Sequence, residues 1–535
     1  MRKLGLATLA AAALAFVGAG AAAATPVVAS NANVDQDHGL LFPQNKQNEP
    51  AITRDPSTGV LVAGANDEIN EPLCHTPTAP LTSPCPFGPS VSVNGYYRST
   101  NGGKSWTGGI LPDVPGRVGG GDPSLDYGPR RCASGSFSYA CGTVIYYASL
   151  GDPFPEFAGE QVLSYRSYDD GKTWSTPTLA ASLDRKSNFA DHEWIAVAHT
   201  PGAAYFGRAY LFWANYCNTC SGFGNVKLYV SHSDDEGQTW SPALQVSAAN
   251  NNLAQGERET GQMAVSSDGT VEAFWTENAD SKGKYPDTQV VVTSKDGGNT
   301  FTAPITVGYT TDYPLTGTPF DAVDLYNRVP GMSARVDCYP HPASDPRTGS
   351  GAVYVVWCDF TGGHGVVKGA VSTDGLNWRS LGTIGDVAGR NAFFPAASVS
   401  SVGLLAVSFD ALTAPAGYPW ETGKQVYDNY YVQSTNGGAS FTSPLRVSTA
   451  SSNPDASSYN NTQEQFIGDY IGIAAGPAAA YMVWTDERAA SACAAVDDYR
   501  NAVYAGSKTA VAANPDTDCA TNFGNTDTEA GVVNY

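Results

Sequence analysis

Carboxylate, arginine and tyrosine side chains recur in this chain beside short apolar segments that have the composition of β-strands. One set stands where the first strand of a repeated unit would start: Asn48, Glu49, Asp122, Asp191, His192, Glu193, Arg258, Glu259, Arg390, Asp469 and Tyr470. A second set stands where the next strand would end and includes Asp67, Asp486 and Arg488. Cleavage of a glycosidic bond needs one carboxyl group as acid and another as nucleophile or base. The two sets therefore predict acid–base chemistry on a sugar.

The residue types indicate a division of roles within these sets. The candidates for acid or base work are Asp67, Asp122, Asp191, Glu193 and Glu259. Tyr470 is a candidate nucleophile or orienting group. The candidates for substrate binding are Asn48, Glu49, Arg258, Arg390, Asp469, Asp486 and Arg488. An alternative interpretation is that each of these side chains caps a strand end and bonds exposed backbone groups.

His192 is open to two interpretations, because it stands between Asp191 and Glu193. It is either a catalytic or metal-binding histidine, or a polar residue satisfied by its neighbours. The sequence contains no HExxH, G-x-S-x-G or P-loop pattern, which leaves zinc protease, serine hydrolase and nucleotidase activities without support.

The elements that would position these residues are indicated by a pattern that occurs six times, roughly Ser-x-Asp-x-Gly-x-Thr-Trp. The copies start at Ser99, Ser167, Ser233, Ser294, Ser372 and Ser434, and the fifth is one residue shorter than the others. Each copy is typical of a tight hairpin turn. Its Asp or Asn side chain accepts backbone N–H bonds, its Gly supplies a positive φ, and its aromatic residue packs into the core.

The repeats predict an all-β propeller. The copies recur about every 67 residues, and two apolar strands precede each one. A seventh pair of strands, Gly468–Ala474 and Tyr481–Asp486, follows the sixth copy and continues into Asn501–Ala505 without another copy. We therefore expect seven four-stranded blades, with six as the alternative. A strand from the segment before Gln47, or from the C-terminal tail, would close the ring.

The six copies match the Asp box, and the chain resembles the sialidase-like (bacterial neuraminidase repeat) propeller superfamily. The resemblance implies that the Asp boxes are scaffold, on the side away from the catalytic face. It also implies three arginines that hold a substrate carboxylate, a Tyr paired with a Glu that acts as nucleophile, and an Asp that acts as acid/base. The first arginine motif is absent, because Asn48 stands in its place in the segment that ends at Ile52. Arg328-Val329-Pro330 has a similar sequence but lies four boxes later.

The N-terminus indicates export. Residues 1–24 combine a basic start with an Ala-rich apolar run and a small-residue cleavage site, typical of a secretory signal peptide. We expect an N-terminal segment at 25–46, the propeller at 47–512 and a tail at 513–535. The ten cysteines form five sequence-local pairs that predict disulfides: Cys74/Cys85, Cys132/Cys141, Cys217/Cys220, Cys338/Cys358 and Cys493/Cys519. Cys217-x-x-Cys220 is also compatible with a redox or zinc motif.

Charge limits the partners. The chain has 30 Lys and Arg against 51 Asp and Glu, a formal net charge of −21. This excess argues against binding to nucleic acid or to an anionic membrane surface. No segment after the signal peptide is apolar for the ~20 residues that a membrane span needs. We expect a secreted monomer whose partner is a carbohydrate or glycoconjugate and which needs no cofactor. Asp516-Thr517-Asp518 carries a weak signal for calcium.

Three functions remain open from the sequence. The first is a glycoside hydrolase that acts on an extracellular glycan. The second is a glycan-binding or adhesion propeller without catalysis, which the Asn48 departure favours. The third is a polysaccharide lyase, for which His192 and Arg258 would be the base and the uronate contact.

Overall fold

The fold is described from a computed structural model. It describes residues 25–35, 39–80, 82–153, 161–181, 188–217, 226–248, 258–259, 261–277, 287–314, 327–415 and 425–535.

The described strands form seven antiparallel sheets, which are the blades of a β-propeller. The first strand in the chain is β1 (Val27–Asn33). Blade 1 comprises β2 (Gln47–Arg54), β3 (Leu61–Asp67), β4 (Asn94–Ser99) and β5 (Thr107–Ile110). Blade 2 comprises β6 (Arg117–Arg131), β7 (Phe137–Pro153), β8 (Gln161–Ser167) and β9 (Thr178–Ala181). Blade 3 comprises β10 (Asn188–Val197), β11 (Ala209–Cys217), β12 (Lys227–Ser233) and β13 (Leu244–Gln245).

The next three blades follow the same order. Blade 4 comprises β14 (Arg258–Glu259) and β15 (Met263–Val265), which both pair with β16 (Val271–Glu277), and then β17 (Thr288–Ser294) and β18 (Ile305–Tyr309). Blade 5 comprises β19 (His341–Ser344), β20 (Val353–Asp359), β21 (Val366–Ser372) and β22 (Arg379–Gly385). Blade 6 comprises β23 (Ala392–Val399), β24 (Leu405–Leu412), β25 (Tyr427–Ser434) and β26 (Leu445–Arg446).

Blade 7 is assembled from both ends of the chain. Its strands are β27 (Gly472–Ala475), β28 (Ala479–Asp486), β29 (Asp527–Asn534) and the N-terminal β1. β1 pairs antiparallel with β29, from Val27 opposite Asn534 to Asn33 opposite Glu529. The prediction of seven blades is confirmed. A strand from before Gln47 closes the ring, which removes the free edge that an open sheet would expose.

The C-terminal part of blade 7 differs from the sequence expectation. Asn501–Ala505, expected to continue the blade, falls at the end of helix α1 (Ala494–Tyr504). The third strand is instead β29, in the segment expected to be a tail, so the propeller extends beyond residue 512. The buried α1 side chains Val496, Tyr499 and Arg500 recur at the spacing of one helix face, which explains why this run is helical. A short helix α2 (Pro515–Asp518) follows.

The repeated segments form turns directly after the third strand of blades 1 to 6. In the second copy Thr173 N donates to Asp169 Oδ1 at 2.8 Å, and Gly171 N donates to Ser167 Oγ at 2.9 Å. Gly171 has a φ of +76°, a value that favours glycine. Because adjacent strands are antiparallel, the end of a third strand and the start of a first strand lie on opposite faces of the propeller. The repeats therefore lie on the face away from the predicted chemical groups.

Apolar side chains of adjoining blades pack together in the spaces between sheets. An example is the contact of Val62 and Leu125 with Tyr147 between blades 1 and 2. A channel of about 360 Å³ is lined by the inner strands of all seven blades. Within the described part of the chain, no helix combines the length and the hydropathy needed to cross a membrane.

Four of the five expected disulfides are present in the described part of the chain. They join Cys74 to Cys85, Cys132 to Cys141, Cys338 to Cys358 and Cys493 to Cys519. The pair Cys217/Cys220 cannot be placed, because Cys220 lies outside the described residues.

Candidate functional site

The inner strands of several blades begin with a bulge that carries an unusual backbone conformation. Glu49, Asp122, His192 and Phe394 have φ values of +54°, +55°, +48° and +47°, and the strand register shifts at each of them. Bulges re-aim side chains, and left-handed non-glycine residues concentrate at functional sites. In blades 1 to 3 the bulges bring acidic residues to one face of the propeller.

A cavity of about 500 Å³ opens on this face between blades 1, 2, 3 and 7. Its polar lining comprises Lys46, Asn48, Glu49, Asn66, Glu68, Glu71, Asp122, Asp152, Asp191, Arg335 and Asp469. Its aromatic lining comprises Phe87, Phe189, Tyr459 and Phe466. A cavity with aromatic walls and a few convergent polar groups is the usual form of a small-molecule or sugar site.

Three carboxyl groups form a hydrogen-bonded chain along one side of the cavity. Asp122 hydrogen-bonds to Glu49 on one side and to Asp191 on the other. Asn66 holds the first of them, because its Nδ2 donates to Glu49 Oε2 at 2.7 Å and to Asn48 Oδ1 at 2.9 Å. Asn66 Oδ1 also accepts the backbone N–H of Asp122 at 2.7 Å. Neighbouring carboxyl groups can hydrogen-bond only if they retain protons.

Asp469 faces this chain as the partner of an arginine. Arg335 Nε and Nη2 donate to the two oxygens of Asp469 at 2.9 and 2.7 Å. The guanidinium also lies over the ring of Phe466, 5.0 Å from its centroid. A bidentate ion pair of this kind holds the carboxylate in one orientation.

The environment of the carboxyl chain raises the pKa of each member. Burial, followed by the charge of Asp469, raises the pKa of Glu49 to about 7. Burial and the charge of Glu49 raise the pKa of Asp122 well above its usual value. Burial and the charge of Asp122 do the same to the pKa of Asp191, which Arg335 partly opposes. These three carboxyl groups therefore hold their protons to higher pH than exposed carboxyl groups do.

A second ion pair, between Lys46 and Glu68, also lines the cavity. Lys46 Nζ lies 2.5 Å from Glu68 Oε1, donates to Asn460 Oδ1 and is almost fully buried. The ammonium group is 5.7 to 5.8 Å from the centroids of four rings, those of Phe42, Phe87, Tyr459 and Phe466. Its charge is therefore compensated within the protein.

Five of the residues singled out from the sequence line the cavity together: Asn48, Glu49, Asp122, Asp191 and Asp469. Glu193 and Tyr470 are buried beside them without lining it, at 1% and 6% exposure. Tyr470 Oη donates to the backbone oxygen of Pro123 at 3.2 Å. His192 is also buried, and its ring contacts Tyr339 and Tyr470. Burial lowers the pKa of His192 to about 4.

Four other candidates lie elsewhere. Asp67 is bonded inside blade 1, where it accepts from Tyr97 Oη at 2.7 Å and from Gln47 Nε2 at 3.2 Å. Asp486 and Arg488 bind each other through Arg488 Nε and Nη2, at 2.7 and 2.9 Å. Arg390 lies beside Tyr430 at blade 6. The side chains of the remaining candidates, Arg258 and Glu259, lie outside the described part of the chain.

Sequence reasoning missed several residues of the cavity, above all Arg335 and Asn66. Arg335 precedes the inner strand of blade 5, in a segment that does not itself have a strand pattern. One signal in the sequence could have located Arg335. An X-Pro step occurs in the inner strands at Glu49-Pro50, Asp122-Pro123 and Phe394-Pro395. The same step occurs at Tyr339-Pro340, just after Arg335. Arg328, the arginine that the sequence did single out, is fully buried and pairs with Glu464 at 2.8 Å.

The structure offers little for a metal ion. Within the described residues, no group of three or more His, Cys, Asp or Glu side chains is arranged to hold one. In the Asp516–Asp518 segment, Asp516 Oδ2 accepts the N–H of Cys74 at 2.8 Å and Asp518 Oδ2 accepts that of Asn514 at 2.9 Å. These two carboxylate oxygens are therefore engaged in hydrogen bonds to backbone N–H groups.

No protein-family model matches the chain, and no curated protein matches it. Similar solved structures include an α-L-arabinanase of Penicillium chrysogenum complexed with arabinobiose, with a TM-score of 0.43, 11% identity and coverage of 95% of this chain and 98% of that chain. They also include the Hadza microbial sialidase Hz136, with a TM-score of 0.38, 13% identity and coverage of 86% and 94%. A third is the α-L-arabinofuranosidase Arb93a of Fusarium graminearum with an iminosugar inhibitor, with a TM-score of 0.42, 14% identity and coverage of 76% and 98%.

The fold assignment rests on the seven sheets of the chain itself and on the turns that follow their third strands. The chain has the architecture of a seven-bladed β-propeller.

Proposed function

We propose that this chain is an exported glycoside hydrolase that acts on an extracellular glycan at the cavity between blades 1, 2, 3 and 7. The observation that carries the proposal is the presence of two carboxyl groups in unlike environments within one cavity. Burial raises the pKa of Glu49 to about 7, whereas Asp469 is held by Arg335 in a bidentate ion pair. A buried carboxyl group with a raised pKa, beside a second carboxyl group that is ion-paired with an arginine, is suited to the acid and base roles of glycoside hydrolysis.

In this mechanism Glu49 is the general acid. It stays protonated up to about pH 7 and gives its proton to the glycosidic oxygen as the bond to the leaving sugar breaks. Asp469 supplies the carboxylate, either as nucleophile or as the base that activates water. Asp122 and Asp191 bond sugar hydroxyl groups, and the hydrogen bond of Asp122 to Glu49 opposes the effect of burial by lowering the pKa of Glu49. Tyr470 orients the backbone at Pro123, next to Asp122, because its hydroxyl donates to the backbone oxygen of Pro123. Burial also raises the pKa of Tyr470 well above its usual value.

The test is product release by the purified protein from sialylated, neutral and uronate-containing glycans. Reducing ends without ultraviolet absorbance report hydrolysis, whereas reducing ends together with the absorbance of unsaturated uronates report a lyase. Glu49→Gln and Asp469→Asn should each lower hydrolysis by about 10²- to 10⁴-fold, the usual contribution of a positioned acid or base. Asp498→Asn, on the exposed face of α1, is the matched control and should leave the rate unchanged. Wild-type rates in both cavity variants would refute the proposal.

A glycan-binding propeller without catalysis is the second candidate, and Asn48 favours it. Asn48 is bonded to Asn66 at 2.9 Å and occupies the place where the resemblance implies an arginine. Retention of the protein on an immobilised glycan, with no product from any substrate, would establish this function instead. A lyase has weaker support, because His192 does not line the cavity and its pKa of about 4 makes it a weak base.

A further inference from the structure

We propose that the cavity takes an uncharged sugar residue, which packs against Phe87, and that it rejects sugars carrying a carboxylate. This inference rests on the proposed function, because it names the substrate class of the same cavity.

The first support is the charge of the cavity lining. The carboxyl groups among its described residues are Glu49, Glu68, Glu71, Asp122, Asp152, Asp191 and Asp469. The cations among the same residues are Lys46 and Arg335. An anionic sugar would meet only two cations among these residues, and every lining carboxyl group that is ionised would repel it in a partly desolvated site.

The second support is that both cations are already engaged. Lys46 is paired with Glu68 at 2.5 Å, and Arg335 holds both oxygens of Asp469. A substrate carboxylate that took the same edge of the Arg335 guanidinium would have to displace Asp469. That exchange would leave the carboxylate of Asp469 partly buried without its partner. The free-energy cost of such an unpaired charge is larger than the free energy that an exposed ion pair contributes.

The third support is the protonation of the lining. Burial raises the pKa of Glu71 to about 7 and that of Asp152 to about 6, besides the changes in the Glu49–Asp122–Asp191 chain. A carboxyl group that retains its proton donates as well as accepts a hydrogen bond, so such a lining offers both donors and acceptors. Sugar hydroxyl groups, which both donate and accept, match such a lining.

Phe87 provides the apolar contact that a sugar ring needs. Its side chain is 50% exposed at the cavity, whereas the neighbouring ring, Tyr459, is partly buried. The ring position is fixed, because Phe87 meets Tyr459 edge-on at 6.3 Å and Gly88 N donates to Glu71 Oε2 at 2.7 Å. The Cys74–Cys85 disulfide closes the loop just before it. A fixed, half-exposed aromatic face is suited to stacking against the apolar face of a sugar.

The experiment measures binding by calorimetry with the full-length Glu49→Gln variant, so that turnover does not consume the ligand. The probes are neutral pentose and hexose trisaccharides, sialyllactose and trigalacturonate. We expect at least one neutral probe to bind, with an affinity that salt does not change, and neither anionic probe to bind. Adding Phe87→Ala should weaken the neutral probe about 10-fold, Phe87→Trp should restore it, and Tyr309→Ala, a distant exposed aromatic, should have no effect.

Binding of either anionic probe, failure of all neutral probes, or wild-type affinity in Phe87→Ala would each overturn the inference. The outcomes also separate it from the proposed function. Binding of a neutral probe without any product from the wild-type protein would refute the hydrolase and support the substrate class. Hydrolysis of sialyllactose would support the hydrolase and refute the substrate class.

Discussion

The carboxyl groups of Glu49 and Asp122 hydrogen-bond to each other across the boundary between blades 1 and 2. Two ionised carboxylates in hydrogen-bonding contact repel each other. The pair therefore retains a proton that an isolated, exposed carboxyl group would have lost by neutral pH. Both residues stand at bulges with left-handed backbone conformations. These bulges let the inner strands of two blades hold two carboxyl groups together.

The first prediction concerns the effect of pH on Glu49. Its pKa in the folded protein, about 7, lies above the ordinary value of 4.5. The folded state therefore binds this proton more tightly than the unfolded state does. The stabilisation is fully present below pH 4.5 and is lost as the pH rises through about 7. Hydrolysis should fall over the upper part of the same range, because the general acid loses its proton.

Glu49→Gln removes this titration, since the amide is uncharged at every pH. Relative to the wild type, the variant should gain free energy of unfolding between pH 5 and pH 8, on the order of 3 kcal/mol for a shift of this size. Urea unfolding at the two pH values measures the gain. A difference between the two proteins that does not change with pH would show that Glu49 titrates normally.

The second prediction concerns Arg335. Its positive charge lowers the pKa of Glu49, opposing burial and Asp469. Arg335→Ala should therefore raise that pKa and move the alkaline limb of the pH–rate profile to higher pH, while the rate itself falls because Asp469 loses its partner. Arg335→Lys keeps the charge but not the bidentate geometry, so it should lower the rate and leave the limb in place.

The matched control is Arg347→Ala, which removes a half-exposed arginine from an ion pair with Asp345 in blade 5. It should change neither the rate nor the limb. An unmoved limb in Arg335→Ala would mean that the acid observed in the profile is not Glu49.

The sequence predicted the fold well because the turns repeat. Ser99 and its five counterparts each end a third strand, so six blades could be located from six short patterns, and two further strands indicated the seventh. The last part of blade 7 could not be predicted in this way. It has no copy of the turn, and the apolar run at Val503–Tyr504 is equally compatible with the end of a helix and with a strand.

The candidate site was predicted in part, for a similar reason. Residues at the starts of inner strands, such as Glu49 and Asp122, could be placed on one face from topology alone. Asp67 and Asp486 have the same residue type at the same face, but their carboxyl groups are bonded within their own blades. Residue type does not distinguish these two environments. Arg335 was not predicted, because contacts made from a loop of another blade leave no periodic signal in the sequence.

The third prediction concerns Arg500 of α1, which holds the segment that carries Tyr459 and Phe466 to the cavity. Its guanidinium is 1% exposed and donates to four backbone oxygens, those of Asp455, Ser457, Thr462 and Glu464. Arg500→Met should cost about 3 to 5 kcal/mol of unfolding free energy, because it leaves several buried carbonyl groups without donors.

Urea unfolding measures that cost, and Arg379→Met is the control, since Arg379 is exposed and its Nη2 donates to one carbonyl at 3.3 Å. We expect the control to stay within about 0.5 kcal/mol of the wild type. Equal stability of the two variants would show that α1 does not support the cavity wall.

The fourth prediction tests whether the position of Glu49 matters for the chemistry. Gly468 lies against it, so a Cβ atom added at Gly468 would stand 2.7 Å from Glu49 Cγ and 2.8 Å from Glu49 N. Gly468→Ala must therefore displace the general acid. We expect the turnover number to fall at least 10-fold and the alkaline limb to move, while the Michaelis constant changes little.

Gly389→Ala is the matched control, because Gly389 also has a positive φ, +74° against +83° for Gly468, but no atom within 4 Å of an added Cβ. Both variants bear the same backbone strain, of about 1 kcal/mol. If the two lose the same unfolding free energy and only Gly468→Ala loses activity, the loss comes from the displaced carboxyl group. Normal turnover in Gly468→Ala, with its pH profile unmoved, would remove Glu49 from the mechanism.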